Sequence, residues 1–151
     1  MNTQAGVIAT GSSFDSTRRM ERLRISAWIA TGIFGVLMTF SGILYIAGPT
    51  AIVENIHRLG YPDYFRTLLG IAKLLGVAAL FAPGARVLRE WAYAGFTFDM
   101  SAAIASHLLS GDQVLHAAPA VLSLALVLTS YFLRRAVSRG AAAKTRSSRK
   151  D

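Results

Sequence analysis

The chain has 151 residues, no cysteine, a formal net charge of +8, and 53% hydrophobic against 16% charged residues. Soluble domains carry about 25% charged residues, so this composition and the mean hydropathy of +0.43 indicate a small integral membrane protein of one domain. The lack of cysteine excludes disulfides, thiolate metal sites and dithiol redox chemistry within the chain. The basic residues gather at the two ends of the sequence, around membrane-length apolar runs, so no nucleic acid is expected as a partner.

Four apolar segments have the roughly 20 residues that a transmembrane helix requires. They are residues 25–47, 64–82, 90–109 and 114–133. Glycine and proline pairs interrupt the chain between these segments, and the short links force neighbouring helices to run antiparallel. The predicted fold is therefore an all-α, integral membrane four-helix bundle with antiparallel up-down topology, occupying residues 25–133.

The link between the first two spans is long enough for a further element. Ile52, Val53, Ile56 and Leu59 recur there at helical spacing. Polar side chains lie elsewhere around the same turns. This pattern predicts a short amphipathic helix that lies at the membrane interface.

Basic residues are distributed unequally across the predicted spans. Thirteen fall on one side, in the lead 1–24, the link after the second span and the tail 134–151, and only Arg58 and Arg66 fall on the other. The positive-inside rule then predicts a multi-pass protein of a bacterial cytoplasmic membrane, with both termini cytoplasmic. The basic tail is predicted to be disordered, either as a solvated charge run, which we favour, or as a binding segment for anionic lipids.

Two opposite charges lie inside the predicted spans. Lys73 lies nine residues before the end of the second span, and Asp99 lies nine residues after the start of the third. Because these spans form a hairpin and each helical residue rises 1.5 Å, both charges lie about 13–14 Å from the cytoplasmic end. Each charge alone would cost about 2.5–3.5 kcal/mol at the centre of a membrane helix. We therefore predict that Lys73 and Asp99 form a pair.

This intramembrane pair has two interpretations. It is either a structural ion pair that locks the hairpin, which we favour, or a proton relay or ligand site. Small residues, which allow helices to approach closely, surround both charges. They include Gly70 and Gly76 beside Lys73, Gly95 and Ser106 on the third span, and a seam of Gly32, Gly35, Thr39 and Gly42 on the first span.

Six polar side chains fall on the predicted outer side: Glu54, His57, Asp63, His107, Asp112 and His116. Such a group could bind a metal or transfer protons to a quinone headgroup. Alternatively, these residues are ordinary polar residues at the protein surface. We favour this interpretation because their spacing matches no metal motif. The chain contains no P-loop, nucleophile elbow or HExxH motif, so no metal site and no catalytic residue is assigned.

Several short motifs follow one another in a recognisable order. They are Gly60-Tyr61-Pro62, the run from Gly70 to Gly76, Pro83-Gly84, the run from Glu90 to Phe96, Asp99, Ser106-His107 and Gly111-Asp112. In order and spacing this set resembles the DoxX-like family over about residues 55–113. The resemblance implies a four-helix membrane bundle. It also implies an association with membrane oxidoreductases, since the family takes its name from a subunit of a thiosulfate:quinone oxidoreductase.

Three functions remain open at this point. The preferred one is an accessory or structural subunit of a membrane redox assembly, with a membrane protein or a second copy as its partner. The alternative is a quinone-reactive oxidoreductase subunit that moves protons through Lys73, Asp99 and the outer histidines. The third is a small proton-coupled carrier, which the lack of an internal repeat argues against. Quinone is the one cofactor that these hypotheses name.

The charge asymmetry makes a prediction about topology. Reporters fused after Asp151 and inserted within residues 59–63 should lie on opposite sides of the membrane, the first in the cytoplasm. Accessibility of each reporter to a membrane-impermeant reagent measures this directly. Reporters on the same side would contradict the odd number of spans, three, that is predicted between the outer link and Asp151.

Overall fold

The structure is a computed structural model that describes residues 3–111 and 113–147, and all regular secondary structure in these residues is helical. Five helices follow one another: α1 (Thr3–Ala47), α2 (Thr50–Arg58), α3 (Asp63–Phe81), α4 (Arg86–Leu109) and α5 (Val114–Ser147). Within them, three segments are long and apolar enough to cross a membrane: Arg18–Ala47, Asp63–Phe81 and Leu115–Ala142. The chain is thus an all-helical membrane protein.

The third predicted span coincides with α4, which is not among those three segments. Its 24 residues would extend about 36 Å, which exceeds the roughly 30 Å of a hydrocarbon core. Its composition, not its length, sets it apart. Asp99 stands at its middle, and Thr97, Ser101 and Ser106 add further polarity.

The tail differs from the sequence prediction. Disorder was predicted from Arg134 onward, but α5 continues as a helix to Ser147. The physical reason lies in the composition of the segment, because alanine, arginine and lysine are among the best helix formers. Residues 148–151 lie outside the described part of the chain.

The described residues fall into two compact units. Residues 30–128 form the larger unit, and the described residues on either side of them form the smaller one. In the smaller unit the guanidinium of Arg134 lies 4.5 Å from the centre of the Trp28 ring. Arg135 donates a hydrogen bond to the Tyr131 hydroxyl at 3.1 Å, one turn earlier on the same helix.

In the larger unit, glycines allow α1 and α3 to pack closely. A Cβ atom added at Gly70 would lie 2.8 Å from the Gly42 carbonyl oxygen, and one added at Gly35 would lie 2.7 Å from the Phe81 ring. These contacts pair the end of α1 with the start of α3, so the two helices run antiparallel. Gly32, the first residue of the predicted seam, has open space around it instead.

The end of α1 is fixed by Gly48 and Arg66. Gly48 has φ +66°, a left-handed conformation that favours glycine, and its N–H donates to the Leu44 carbonyl at 2.9 Å. Arg66 of α3 donates hydrogen bonds to the carbonyls of Tyr45 and Ile46. A positive side chain thereby satisfies orphan carbonyls at the negative end of the helix dipole.

Aromatic and hydroxyl contacts join α1 to α4. The rings of Phe34 and Phe96 meet edge to face with centroids 4.9 Å apart, and the hydroxyls of Thr31 and Tyr93 lie 3.4 Å apart. From the Thr31–Tyr93 contact to the Phe34–Phe96 contact, the position moves forward by three residues on each helix. The helices α1 and α4 therefore run parallel. Phe34 and Thr31 are fully buried, which places this contact in the core of the larger unit.

The two kinds of glycine environment generate a matched prediction. Gly70→Ala should lower the free energy of unfolding by about 1–3 kcal/mol, because the new methyl group would meet backbone that cannot move aside cheaply. Gly32→Ala introduces the same methyl group into open space and should be neutral or slightly stabilising. Thermal unfolding in a mild detergent compares the two variants. Equal midpoints would contradict the close α1–α3 contact.

Candidate functional site

The two charges that the sequence places within predicted spans lie against each other. Lys73 Nζ on α3 donates to Asp99 Oδ2 on α4 at 2.5 Å. The Lys73 side chain is 6% exposed and that of Asp99 is 15% exposed, so both charged groups are largely buried. A charge-assisted hydrogen bond of this kind is among the stronger polar contacts in proteins.

Side chains at both ends of the α3–α4 hairpin hold the register that makes this pairing possible. Near the hairpin turn, Arg89 donates to the carbonyls of Leu80 at 3.1 Å and Ala82 at 2.9 Å. At the opposite end, the hydroxyls of Tyr61 and Ser106 share a hydrogen bond of 2.7 Å. The ion pair is thus the middle one of three polar links along the hairpin.

Helix α1 supplies a third group to the pair. Lys73 Nζ lies 5.5 Å from the centre of the Tyr45 ring, within the range of a cation–π contact. Tyr45 reaches this position because α1 packs closely on α3 at Gly70, whose hypothetical Cβ would lie 3.1 Å from the Tyr45 Cβ. The ammonium therefore lies between a carboxylate and an aromatic face.

The six polar residues that were predicted to lie on the outer side separate into smaller groups. His57 Nε2 and Asp63 Oδ1 lie 2.9 Å apart, and both side chains are more than half exposed. The rings of His107 and His116 lie 6.5 Å apart between centroids. Glu54 is exposed on α2, and Asp112 lies outside the described residues. Among the described residues, no three histidine, aspartate or glutamate side chains are grouped so that they could hold a metal ion.

A cavity of about 420 Å³ lies within the larger unit and has lining residues from all five helices. Three of the candidate site residues share it: Lys73, His107 and His116. His107 lies in the last turn of α4, and the buried side chains of Met38 and Met100 give part of the lining an apolar character. Its volume falls within the range of about 300–1,000 Å³ that is typical of small-molecule sites.

A second cavity, of about 300 Å³, lies between α3 and α4. We call it the α3–α4 groove. Its lining includes Lys73 and Asp99 together with small residues, among them Gly76 and Gly95. The exposed side chains of Trp91, Leu75 and Leu88 also line the groove. Lys73 lines both cavities, and Asp99 lines only the groove.

This arrangement supports two kinds of chemistry. The cavity offers nitrogen donors and acceptors beside apolar walls, which suits a small ligand with a polar head. The ion pair and the two histidines provide groups that can hold or pass a proton. Sequence reasoning identified Lys73, Asp99 and the histidines. It missed Tyr45 and Asn55 as lining residues, because only the packing of α1 and α2 brings them to the cavity.

Comparison with known proteins gives one match. The sequence model of the DoxX-like family matches residues 29–130, about two thirds of the chain. This range includes α2, α3 and α4 and all lining residues of both cavities. The comparisons with curated proteins and with solved structures give no match.

The buried ion pair generates a prediction about coupling. Lys73→Met alone or Asp99→Leu alone should each lower the free energy of unfolding by about 3–5 kcal/mol, because each leaves one buried charge without its partner. The double variant should recover most of this loss, since two apolar side chains suit the interior. Denaturation in mild detergent gives the coupling free energy.

Arg86→Met is the matched control, because it removes an exposed positive charge at the start of α4. It should leave stability nearly unchanged. If the losses of the two single variants simply add in the double variant, Lys73 and Asp99 are not coupled, and the pairing is contradicted.

Proposed function

The chain belongs to the DoxX-like family, and from this premise we propose that it is a four-span membrane protein that serves as a ligand-binding accessory subunit of a membrane redox assembly. In this proposal α1, α3, α4 and α5 all cross the bilayer. The Lys73–Asp99 pair supports the crossing of α4, because a paired charge no longer carries the full insertion cost of about 2.5–3.5 kcal/mol.

The orientation follows from the basic residues. Both termini lie in the cytoplasm of a bacterium, beside the arginines of the lead, the α3–α4 turn and the tail. In this arrangement α2 lies at the outer interface. Its burial pattern supports such a position, because Ile56 is 2% exposed whereas Glu54, His57 and Arg58 are exposed.

One observation carries the ligand-binding role: the 420 Å³ cavity that five helices line together. The cavity is open to the surroundings of the helices, so a ligand can enter it without unfolding of the bundle. Its polar lining includes Asn55 and Arg58 of α2, on the proposed outer side. A ligand could therefore place its polar head beneath α2 and its apolar part beside Met38 and Met100.

A second candidate function is quinone chemistry in the same cavity. The observation that favours it is the shared lining of His107, His116 and Lys73. The two histidines lie beside each other at the cavity, so one of them can donate a hydrogen bond to a carbonyl oxygen of a headgroup and supply a proton that quinone reduction takes up. The electrons for that reduction would come from a partner subunit of the redox assembly.

Purification of the intact protein in a mild, uncharged detergent tests the proposal. Native mass spectrometry of the purified protein identifies the small molecules and proteins that remain bound. A stable membrane protein partner together with a bound amphiphile supports the accessory role, and bound quinone supports the second candidate.

A matched pair of variants connects any bound molecule to the cavity. Ala103→Phe fills the cavity, which Ala103 lines, whereas Ala105→Phe adds the same ring at an exposed position two residues further along α4. The bound molecule should be lost from the first variant and kept by the second. Retention by both variants would contradict binding in this cavity.

A further inference from the structure

The Asp99 carboxylate is only partly used by the protein. Lys73 donates to its Oδ2 atom, and within the described residues no other hydrogen-bond partner of this carboxylate is present. A carboxylate offers about four acceptor sites on two oxygens, and the lysine ammonium has three donors. Most of the hydrogen-bonding capacity of this pair is therefore unfilled by the chain itself.

The residues that carry these unfilled donors and acceptors line the α3–α4 groove. Lys73 and Asp99 both belong to its lining, next to small and apolar residues. Gly95 has no heavy atom within 4 Å of its hypothetical Cβ, so the groove beside it is open. A strong acceptor and a strong donor thus lie side by side at one part of an otherwise apolar surface.

The groove also lies at the surface of the helix pair. Trp91, Leu75 and Leu88 belong to its lining and are 74%, 66% and 50% exposed. If α3 and α4 cross the bilayer, as the proposed function has it, these side chains contact lipid. A molecule that enters the groove then arrives from the hydrocarbon phase and must itself be lipid-soluble.

We propose that the α3–α4 groove is a binding site for a lipid-soluble alcohol or phenol, whose hydroxyl donates to the Asp99 carboxylate and accepts from Lys73. A hydroxyl group fits because it is donor and acceptor at one atom, as the adjacent carboxylate and ammonium require. The apolar part of the ligand lies along Ala92 and Gly95 toward Trp91. This site rests on the proposed membrane crossing of α4 and is separate from the five-helix cavity.

Trp91 allows direct detection of such a ligand. The chain has two tryptophans, so Trp28→Phe leaves Trp91 as the only one. The protein with this substitution is reconstituted in phosphatidylcholine vesicles and titrated with 12-bromododecan-1-ol, whose bromine quenches nearby tryptophan. The methyl ether of the same compound has no hydroxyl donor and is the matched control.

The alcohol should quench Trp91 saturably, at a concentration about tenfold lower than the ether, because a hydrogen bond to a charged group has about that effect. In the Lys73→Met, Asp99→Leu double variant the two compounds should quench equally. Gly95→Leu should abolish saturable quenching by filling the groove, whereas Gly32→Leu, at an open position on α1, should retain it.

Equal quenching by alcohol and ether in the otherwise unchanged protein would overturn the proposal, and so would a preference for the alcohol that survives in the double variant. Vesicles that contain a phospholipid with brominated acyl chains test the premise separately. Strong quenching by that lipid without a preference for the alcohol would overturn the groove site alone. No quenching by that lipid would overturn both the site and the membrane crossing of α4.

Discussion

A buried ion pair between two antiparallel helices determines how the rest of this structure is arranged. Lys73 and Asp99 meet at 2.5 Å in the middle of the α3–α4 hairpin, and each would be costly in an apolar environment without the other. The pairing fixes the register of α3 against α4. The hydrogen bonds from Arg89 at one end and between Tyr61 and Ser106 at the other are consistent with the same register. The ion pair also gives a physical reason why α4 can carry a charged residue at its middle.

The close contact between α1 and α3 connects this pair to the cavity. Gly42 and Gly70 bring the two backbones together, so that the Tyr45 ring reaches Lys73. The 420 Å³ cavity has lining from all five helices, with His107 and His116 where α4 ends and α5 begins. Lys73 belongs both to this cavity and to the α3–α4 groove. One charged residue thus contributes to the stability of the hairpin and to both candidate binding spaces.

Some of this could be predicted from the sequence, and the reason is geometric. A tight turn at Pro83-Gly84 and a constant rise per residue are enough to place Lys73 and Asp99 at one depth. Tertiary contacts are harder to predict. Small-residue spacing did not distinguish Gly70, which touches the backbone of α1, from Gly32, which has open space around it. The charged tail was predicted to be disordered, but its helix propensity extends α5 to Ser147. The outer polar residues looked like one cluster, although His57 pairs with Asp63 and His107 lies beside His116.

The most direct test of the account is a distance measurement in membranes. The chain has three lysines and no other side-chain ammonium, so ¹⁵Nζ-lysine and ¹³Cγ-aspartate labelling gives a simple solid-state NMR spectrum. One lysine signal should show strong ¹⁵N–¹³C dipolar coupling, because Lys73 Nζ and the Asp99 carboxylate lie at direct ion-pair distance. That coupling should disappear in Asp99→Leu, whose side chain has no carboxyl carbon. Three lysine signals without such coupling in the unchanged protein would contradict the ion pair on which this account depends.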